Sequence, residues 1–188
     1  MTLLEQLRAY RPWNGQEARD RDEMVRRLAS GEALYTRDNP SAHLTASAWV
    51  VSPGRDRVLM AHHNLYRSWA WLGGHADGDR DLLFTAVREV REESGLIRVR
   101  PVSEDIFSLE ILSVAGHEKN GAYVSSHLHL NVTYLLEADP AEPVRCRAGE
   151  NSRVGWFTPE GAVEASTEPW FRERIYQKLN EKLTTPAR

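Results

Sequence analysis

The sequence predicts an α/β fold in which helices cover a mixed sheet, preceded by an N-terminal helical extension. Two observations lead to this prediction: short β-rich runs lie on both sides of one acid-rich helical pattern, and further helical patterns open and close the chain. The length of 188 residues and a hydrophobic content of 41% suit one compact domain with an extension.

The N-terminal extension is predicted to comprise residues 1–42. Helical patterns cover residues 2–12 and 15–30, where Met24, Val25 and Leu28 recur at helical spacing. The run Asn39-Pro40-Ser41 then breaks the pattern. We expect this extension to cap the core or to mediate dimerisation, and we expect residues 43–188 to form the main domain.

The main domain is predicted to open with a hairpin. A β-rich run from His43 to Val51 is followed by the turn signal Ser52-Pro53-Gly54 and by a returning strand from Arg57 to His62. Strands are also predicted near residues 69–73, 97–102, 106–114, 123–137 and 153–157. Helices are predicted over residues 80–94, 159–165 and 170–182.

The central helix carries a group of acids on one stripe. Glu89, Glu92 and Glu93 stand in the i, i+3 and i+4 relation, and Gly95 ends the apolar periodicity. Like charges at this spacing repel, whereas a hard cation such as Mg²⁺ or Mn²⁺ takes carboxylate oxygens and offsets the repulsion. The pattern therefore favours a divalent metal site over an ordinary solvated helix face.

From Gly74 to Leu96 the chain resembles the Nudix box, the signature of MutT-like hydrolases that cleave nucleoside diphosphates linked to another moiety. The box has glycine, five residues, glutamate, seven residues, then Arg-Glu-aliphatic-any-Glu-Glu-any-Gly-aliphatic. One position departs from it, because Arg80 replaces the first glutamate. The matching positions are Gly74, Arg88, Glu89, Val90, Glu92, Glu93, Gly95 and Leu96.

The resemblance implies an α/β/α sandwich and a set of catalytic groups. Glu92 and Glu93 would bind the cation together with the backbone carbonyl of Gly74, and Glu89 would bind a second cation or act as general base. In many family members the base comes from a later loop. Glu150 is the first candidate for that role, with a solvated loop residue as the alternative, and Glu118 is the second candidate.

Arg88 is predicted to organise the site by holding Glu92, four residues further along the helix. In the family the first glutamate commonly steadies this arginine, and two arginines cannot pair. We therefore expect one of three aspartates to replace it as the partner of Arg88: Asp77, Asp79 or Asp81.

Two further groups are candidates for substrate contacts. His127 and His129 alternate with apolar residues, so one face of their strand is polar; this face could line a substrate cleft, face solvent or pair across the sheet. Trp71 shares a face with Trp69 just before Gly73, where the rings could stack on a flat group or pack in the core.

Charge and cysteine content narrow the class of protein. A net charge of −3 lacks the basic footprint of a duplex nucleic-acid binder, which favours a small anionic substrate. A lone cysteine, Cys146, allows no internal disulfide, and no apolar run approaches about 20 residues. We therefore expect a cytoplasmic protein that does not enter a membrane.

The sequence thus predicts a Mg²⁺- or Mn²⁺-dependent hydrolase that cleaves the pyrophosphate linkage of a nucleoside diphosphate derivative or a related soluble diphosphate compound. The attached group stays open among nucleotide sugars, ADP-ribose-like compounds, dinucleotides and modified nucleoside triphosphates. The first alternative is a non-catalytic nucleotide-binding or regulatory module. The second is an isoprenyl diphosphate isomerase, which would need a catalytic cysteine.

Overall fold

The computed structural model describes residues 1–65, 67–119 and 121–184. The last four residues of the predicted main domain therefore lie outside the described residues. Five α-helices are present in these ranges, and a π-helical segment, Phe171–Tyr176, runs directly into the last of them. The helices are α1 Leu3–Ala9, α2 Gly15–Ala29, α3 Leu82–Ser94, α4 Pro159–Ala165 and α5 Gln177–Thr184.

Eight strands form one mixed sheet, and two more form a separate hairpin. The strands are β1 Ala42–Val51, β2 Val58–His63, β3 Ser68–Ala70, β4 Leu72–His75, β5 Arg100–Pro101, β6 Ser108–Val114, β7 His117–Lys119, β8 Ala122–Val124, β9 His127–Glu137 and β10 Asn151–Phe157. The main path runs β10-β2-β1-β9-β5, with β3 on β2, β4 on β1 and β6 on β9. β1 and β9 are parallel along their length, whereas the other pairs are antiparallel.

Alternation along β1 separates two layers of the core. Ala46, Ala48 and Val50 belong to the apolar layer that contains Ala86 and Val90 of α3. The intervening side chains of β1 point to the other face, where Trp49 stacks on Tyr176 of the π-helical segment with ring centroids 5.2 Å apart. The sheet is thus covered by α3 on one face and by the C-terminal helical segment on the other, as the sequence predicts.

The two N-terminal helices pack against the domain. Leu3, Leu7 and Met24 are buried in the same apolar layer as α3. Glu17 of α2 is fully buried and accepts hydrogen bonds from the Ser108 hydroxyl of β6 and from the Lys182 ammonium of α5, each at 2.8 Å. Residues 1–42 therefore contribute side chains to the hydrophobic core. Whether they also mediate dimerisation stays a prediction.

The strands differ from prediction at four places. The run near residues 69–73 is two strands, β3 and β4, separated at Trp71, because β3 pairs with β2 and β4 pairs with β1. The run 123–137 is likewise divided between β8 and β9, and β7 was not predicted at all. The strand expected over 97–102 is reduced to Arg100–Pro101. Within the described residues, no helix is both long and apolar enough to cross a membrane.

Candidate active site

Helix α3 presents the acids because both of its ends are fixed by local chemistry. The Asp81 carboxylate accepts a hydrogen bond from the Phe84 backbone N–H at 2.9 Å and so caps the N-terminus. Gly95 ends the helix with a φ of 72°, a conformation that suits glycine. Leu82, Ala86 and Val90 face the core, which leaves the acids beside the loop that follows β4.

Glu93 is the most perturbed carboxylate of this group. It is only 3% exposed, and its Oε2 atom is buried with no hydrogen-bond partner among the described residues. Burial raises the pKa of Glu93 well above its ordinary value, and the nearby charges of Glu89 and Glu150 act in the same direction. The Asn151 amide donates to the Glu93 backbone carbonyl at 2.9 Å, which ties α3 to the start of β10.

Glu89 lies directly over Gly74, the residue before the last one of β4. A Cβ atom at Gly74 would come within 2.6 Å of the Glu89 carboxyl carbon, so any side chain at this position would displace the Glu89 carboxylate. The Arg88 guanidinium donates to Glu89 at 2.8 Å and to the backbone carbonyl of His75 at 3.5 Å. The box arginine thus holds Glu89 against the β4 backbone.

Arg147 completes the site, although its sequence position gave no reason to select it. Its Nη1 atom lies 2.8 Å from Glu92, 3.1 Å from Glu150 and 3.6 Å from Glu89. A loop arginine belongs to no periodic pattern, and only its place three residues before Glu150 connects it with the candidate base. One guanidinium therefore gathers carboxylates from α3 and from the loop before β10.

The donor set fits a divalent cation. Four carboxylates converge, an orphaned oxygen of Glu93 lies inside the group, and a cationic side chain already bridges the other three. The acids are Glu89, Glu92, Glu93 and Glu150. Clustered carboxylate oxygens are the ligands that Mg²⁺ and Mn²⁺ prefer, and an uncompensated buried carboxylate is costly without such a partner.

The prediction that Arg88 holds Glu92 was wrong. Arg88 bonds to Glu89 rather than Glu92, because Glu92 extends toward Arg147 instead. Among the three candidate aspartates, Asp77 pairs with Arg37 and Asp81 caps α3. Asp79 alone approaches Arg88, at a marginal 4.0 Å.

Arg80 takes no part in this arrangement. Its guanidinium lies over the Tyr35 ring, 5.0 Å from the centroid, on the N-terminal side of the domain. The residue at the first glutamate position of the box has therefore gained a cation–π contact with the segment that precedes β1.

Of the two alternatives for Trp71, the structure favours packing in the core over stacking on a substrate. It is 8% exposed and packs edge-on against the rings of Phe171 and Tyr176, so its surface belongs to the core. His127 is buried and His129 is half-buried, with their Nε2 atoms 3.2 Å apart. Their contact with substrate stays a prediction.

Glu118 is exposed on the β7–β8 hairpin. Among the described residues, no hydrogen bond or ion pair links it with the carboxylates of α3, whereas Glu150 shares Arg147 with Glu92. The geometry thus favours Glu150 over Glu118 as the loop carboxylate of the site.

Comparison with known structures supports the fold. The chain is similar to an Ap4A hydrolase from C. elegans (TM-score 0.53, 19% identity, covering 74% of this chain and 93% of that one). It is also similar to the E. coli dihydroneopterin triphosphate pyrophosphohydrolase (0.54, 15%, 79% and 99%). A third similar structure is the MutT protein from Methanosarcina mazei Go1 (0.55, 16%, 76% and 95%).

Sequence comparison identifies one protein family. None of the curated proteins matches this chain. The NUDIX domain family model matches residues 41–179, which include every strand of the sheet and the four carboxylates of the candidate site. The chain therefore belongs to the Nudix family of hydrolases.

Proposed function

We propose that this protein hydrolyses the pyrophosphate linkage of a nucleoside diphosphate derivative or a related diphosphate compound, with Mg²⁺ or Mn²⁺ as cofactor. The observation that carries the proposal is the buried Glu93 carboxylate, whose Oε2 has no hydrogen-bond partner among the described residues, beside three further carboxylates. Glu92, Glu93, Glu89 and the Gly74 carbonyl would hold the cation. When bound, the cation neutralises charge on the diphosphate oxygens and acidifies water.

The residues of the chain supply the remaining functions. Glu89 is held in place by Arg88 and by the absence of a side chain at Gly74, so its carboxylate is preoriented. Glu150 lies beside Glu92 without being part of α3, which suits a group that takes a proton from the attacking water. Arg147 keeps these acids together in the absence of substrate.

The carboxylates and the cation recognise the diphosphate of the substrate, and the group attached to it is left for a screen to identify. The similar solved structures include one named for a dinucleotide and one for a pterin triphosphate, so a screen should contain both kinds of compound besides nucleotide sugars and ADP-ribose. A cytoplasmic location and self-association stay predictions of the sequence.

The test is cleavage of such a panel with Mg²⁺, with Mn²⁺ and after chelation. We expect metal-dependent turnover that falls at least about 100-fold in Glu93→Gln and in Glu92→Gln, because each change removes a charged ligand from the transition state. Glu23→Gln, which changes a partly exposed acid of α2 away from this site, is the matched control and should turn over like wild type. Equal activity in all variants would contradict the metal assignment.

The alternatives give different outcomes in the same assay. A regulatory module would bind compounds of the panel, with no cleavage under any metal condition. An isomerase would convert an isoprenyl diphosphate without releasing phosphate, and would lose that activity in Cys146→Ser. We expect Cys146→Ser to cleave like wild type, since the exposed thiol is not needed for hydrolysis.

The general base is identified by a comparison of pH profiles. We expect Glu150→Gln to lose about 100-fold or more of kcat at neutral pH and to recover as hydroxide replaces the base. Glu89→Gln should lose activity across the whole pH range, because Glu89 is held as a ligand. The reversed pattern would assign the base to Glu89, and small losses in both would exclude the two residues.

A further inference from the structure

Three histidines from three neighbouring strands converge on the face of the sheet opposite α3. His43 of β1 lies directly beside His129 of β9 in the parallel register, and His75 ends β4, the antiparallel neighbour of β1. One ring nitrogen from each lies within 4.8 Å of the other two. Such a convergence does not follow from the carboxylate site, which uses other side chains.

His43 carries the clearest sign of a ligand-binding role. It is 5% exposed, and its Nδ1 atom lies 3.4 Å from the backbone carbonyl of Asn39. That contact assigns the proton to Nδ1 and leaves a lone pair on Nε2. Nε2 is buried and has no hydrogen-bond partner among the described residues, and metal-bound histidines usually have this same backbone contact on the other nitrogen.

The ring of His129 lies among the other histidines, with its centroid 5.0 Å from that of His43, 4.9 Å from that of His75 and 5.1 Å from that of His127. His127 donates from Nδ1 to the Ser125 carbonyl at 2.8 Å, so its Nε2 lone pair faces His129. Neutral imidazole is the ligand form of histidine.

We propose that His43, His75 and His129 bind one Zn²⁺ ion, with water or His127 in the fourth position. Imidazole nitrogens suit zinc, which takes them at about 2.0–2.1 Å in a tetrahedral arrangement. In that geometry the nitrogens lie about 3.3 Å apart, so small ring rotations would close the observed separations. Mg²⁺ prefers oxygen ligands. Mg²⁺ would therefore bind the carboxylates, and Zn²⁺ would bind the histidines.

The zinc site is distinct from the carboxylate site, although the two share a strand. Gly74 faces Glu89 on the α3 side, and because side chains alternate along a strand, the next residue, His75, points to the opposite face. A zinc ion there would tie the end of β4 to β1 and β9. It would hold the end of β4 in place from the face opposite Glu89.

The experiment measures zinc binding by tag-free protein in the Cys146→Ser background, with excess Mg²⁺ present to occupy carboxylates. Titration with Co²⁺ as a spectroscopic probe, followed by displacement with Zn²⁺, reports both the number of ions and their geometry. We expect one tightly bound ion with the absorption of tetrahedral cobalt, and a higher melting temperature when zinc is bound.

Variants then locate the ion. His43→Gln, His75→Gln and His129→Gln should each weaken zinc binding at least about 100-fold, since each removes one of three protein ligands. His62→Gln, a histidine on β2 that contacts Ser152, is the matched control and should bind like the parent. Melting curves without metal show whether each variant is folded, and the three substitutions provide independent tests if one is not.

Other outcomes overturn the proposal. The absence of a tightly bound ion, unchanged binding in all three variants, or loss of binding in Glu92→Gln instead would each exclude the histidine site. Hydrolysis is measured separately with Mg²⁺ in zinc-free protein. The zinc site and the proposed hydrolase activity can thus fail independently of each other.

Discussion

At the scale of single residues, Arg147 is the main finding that the sequence did not predict. The acids of α3 were identified because they occupy fixed spacings on a helix, and spacing determines which side chains share a stripe. Arg147 lies in a loop, where neighbours in space are unrelated to intervals along the chain. Its three ion pairs depend on how the segment before β10 folds back over α3.

The position of Arg147 leads to a prediction about metal affinity. Its guanidinium competes with a cation for Glu92 and Glu150, so Arg147→Gln should lower the Mg²⁺ concentration needed for half-maximal activity by about 3–10-fold. Arg91→Gln, an exposed arginine of α3, controls for the loss of one positive charge. A higher Mg²⁺ requirement in Arg147→Gln would mean that the arginine assists binding.

Arg80 provides a second test at this scale. Because Arg80 contacts Tyr35 and Arg88 already bonds to Glu89, Arg80→Glu should change kcat by less than about tenfold. A large gain in activity would instead mean that the missing box glutamate limits this protein, and it would favour a regulatory role for the domain. Turnover at saturating Mg²⁺ is the measurement.

At the scale of elements, helices were predicted more accurately than short strands. The apolar period of α3 and its glycine stop gave both of its ends to within about two residues. The β7–β8 hairpin and the division at Trp71 were not predictable, since a short strand is defined by the strand with which it pairs. The π-helical segment before α5 likewise has no signal in apolar periodicity.

The two glycines of β4 allow an effect on the packing of the strand to be distinguished from an effect on catalysis. Gly73→Ala would place Cβ 2.4 Å from the Ala46 carbonyl oxygen, which is backbone and cannot move away, so we expect strong destabilisation. Gly74→Ala would meet only the end of the Glu89 side chain. It should remain folded while losing at least about tenfold in activity.

Thermal melting and turnover of both variants check this pair, with Gly15→Ala as control because nothing lies within 4 Å of its added Cβ. An equal loss of melting temperature in Gly73→Ala and Gly74→Ala would show that β4 tolerates a side chain at neither glycine. Full activity in Gly74→Ala would mean that Glu89 does not need its present position.

At the scale of the whole molecule, a buried polar network joins the first helices to the last one. Glu17 has an ordinary pKa of 4.5; burial raises it, but Lys178 and Lys182 outweigh this and lower the pKa to about 2. An acid whose folded pKa is depressed adds stability above its unfolded pKa. That contribution is lost as the pH falls from about 4.5 toward about 2.

We therefore expect Glu17→Gln to lower the free energy of unfolding by about 3 kcal/mol at pH 7, because it leaves the buried ammonium of Lys178 and the half-buried ammonium of Lys182 without their shared partner. The difference from wild type should shrink as the pH approaches 3. Glu23→Gln, which removes an exposed pair on the same helix, should cost less than about 1 kcal/mol. Urea unfolding at both pH values is the measurement, and a difference independent of pH would exclude the ionic origin.

The same network has a consequence for the order in which the protein is made. During translation, Lys182 is added 165 residues after Glu17, yet the two side chains are in contact in the folded protein. Until then the carboxylate of α2 must stay hydrated, and the edge of β6 that it covers stays open. Helix α2 therefore cannot complete its contacts with the sheet until the residues of α5 have been synthesised.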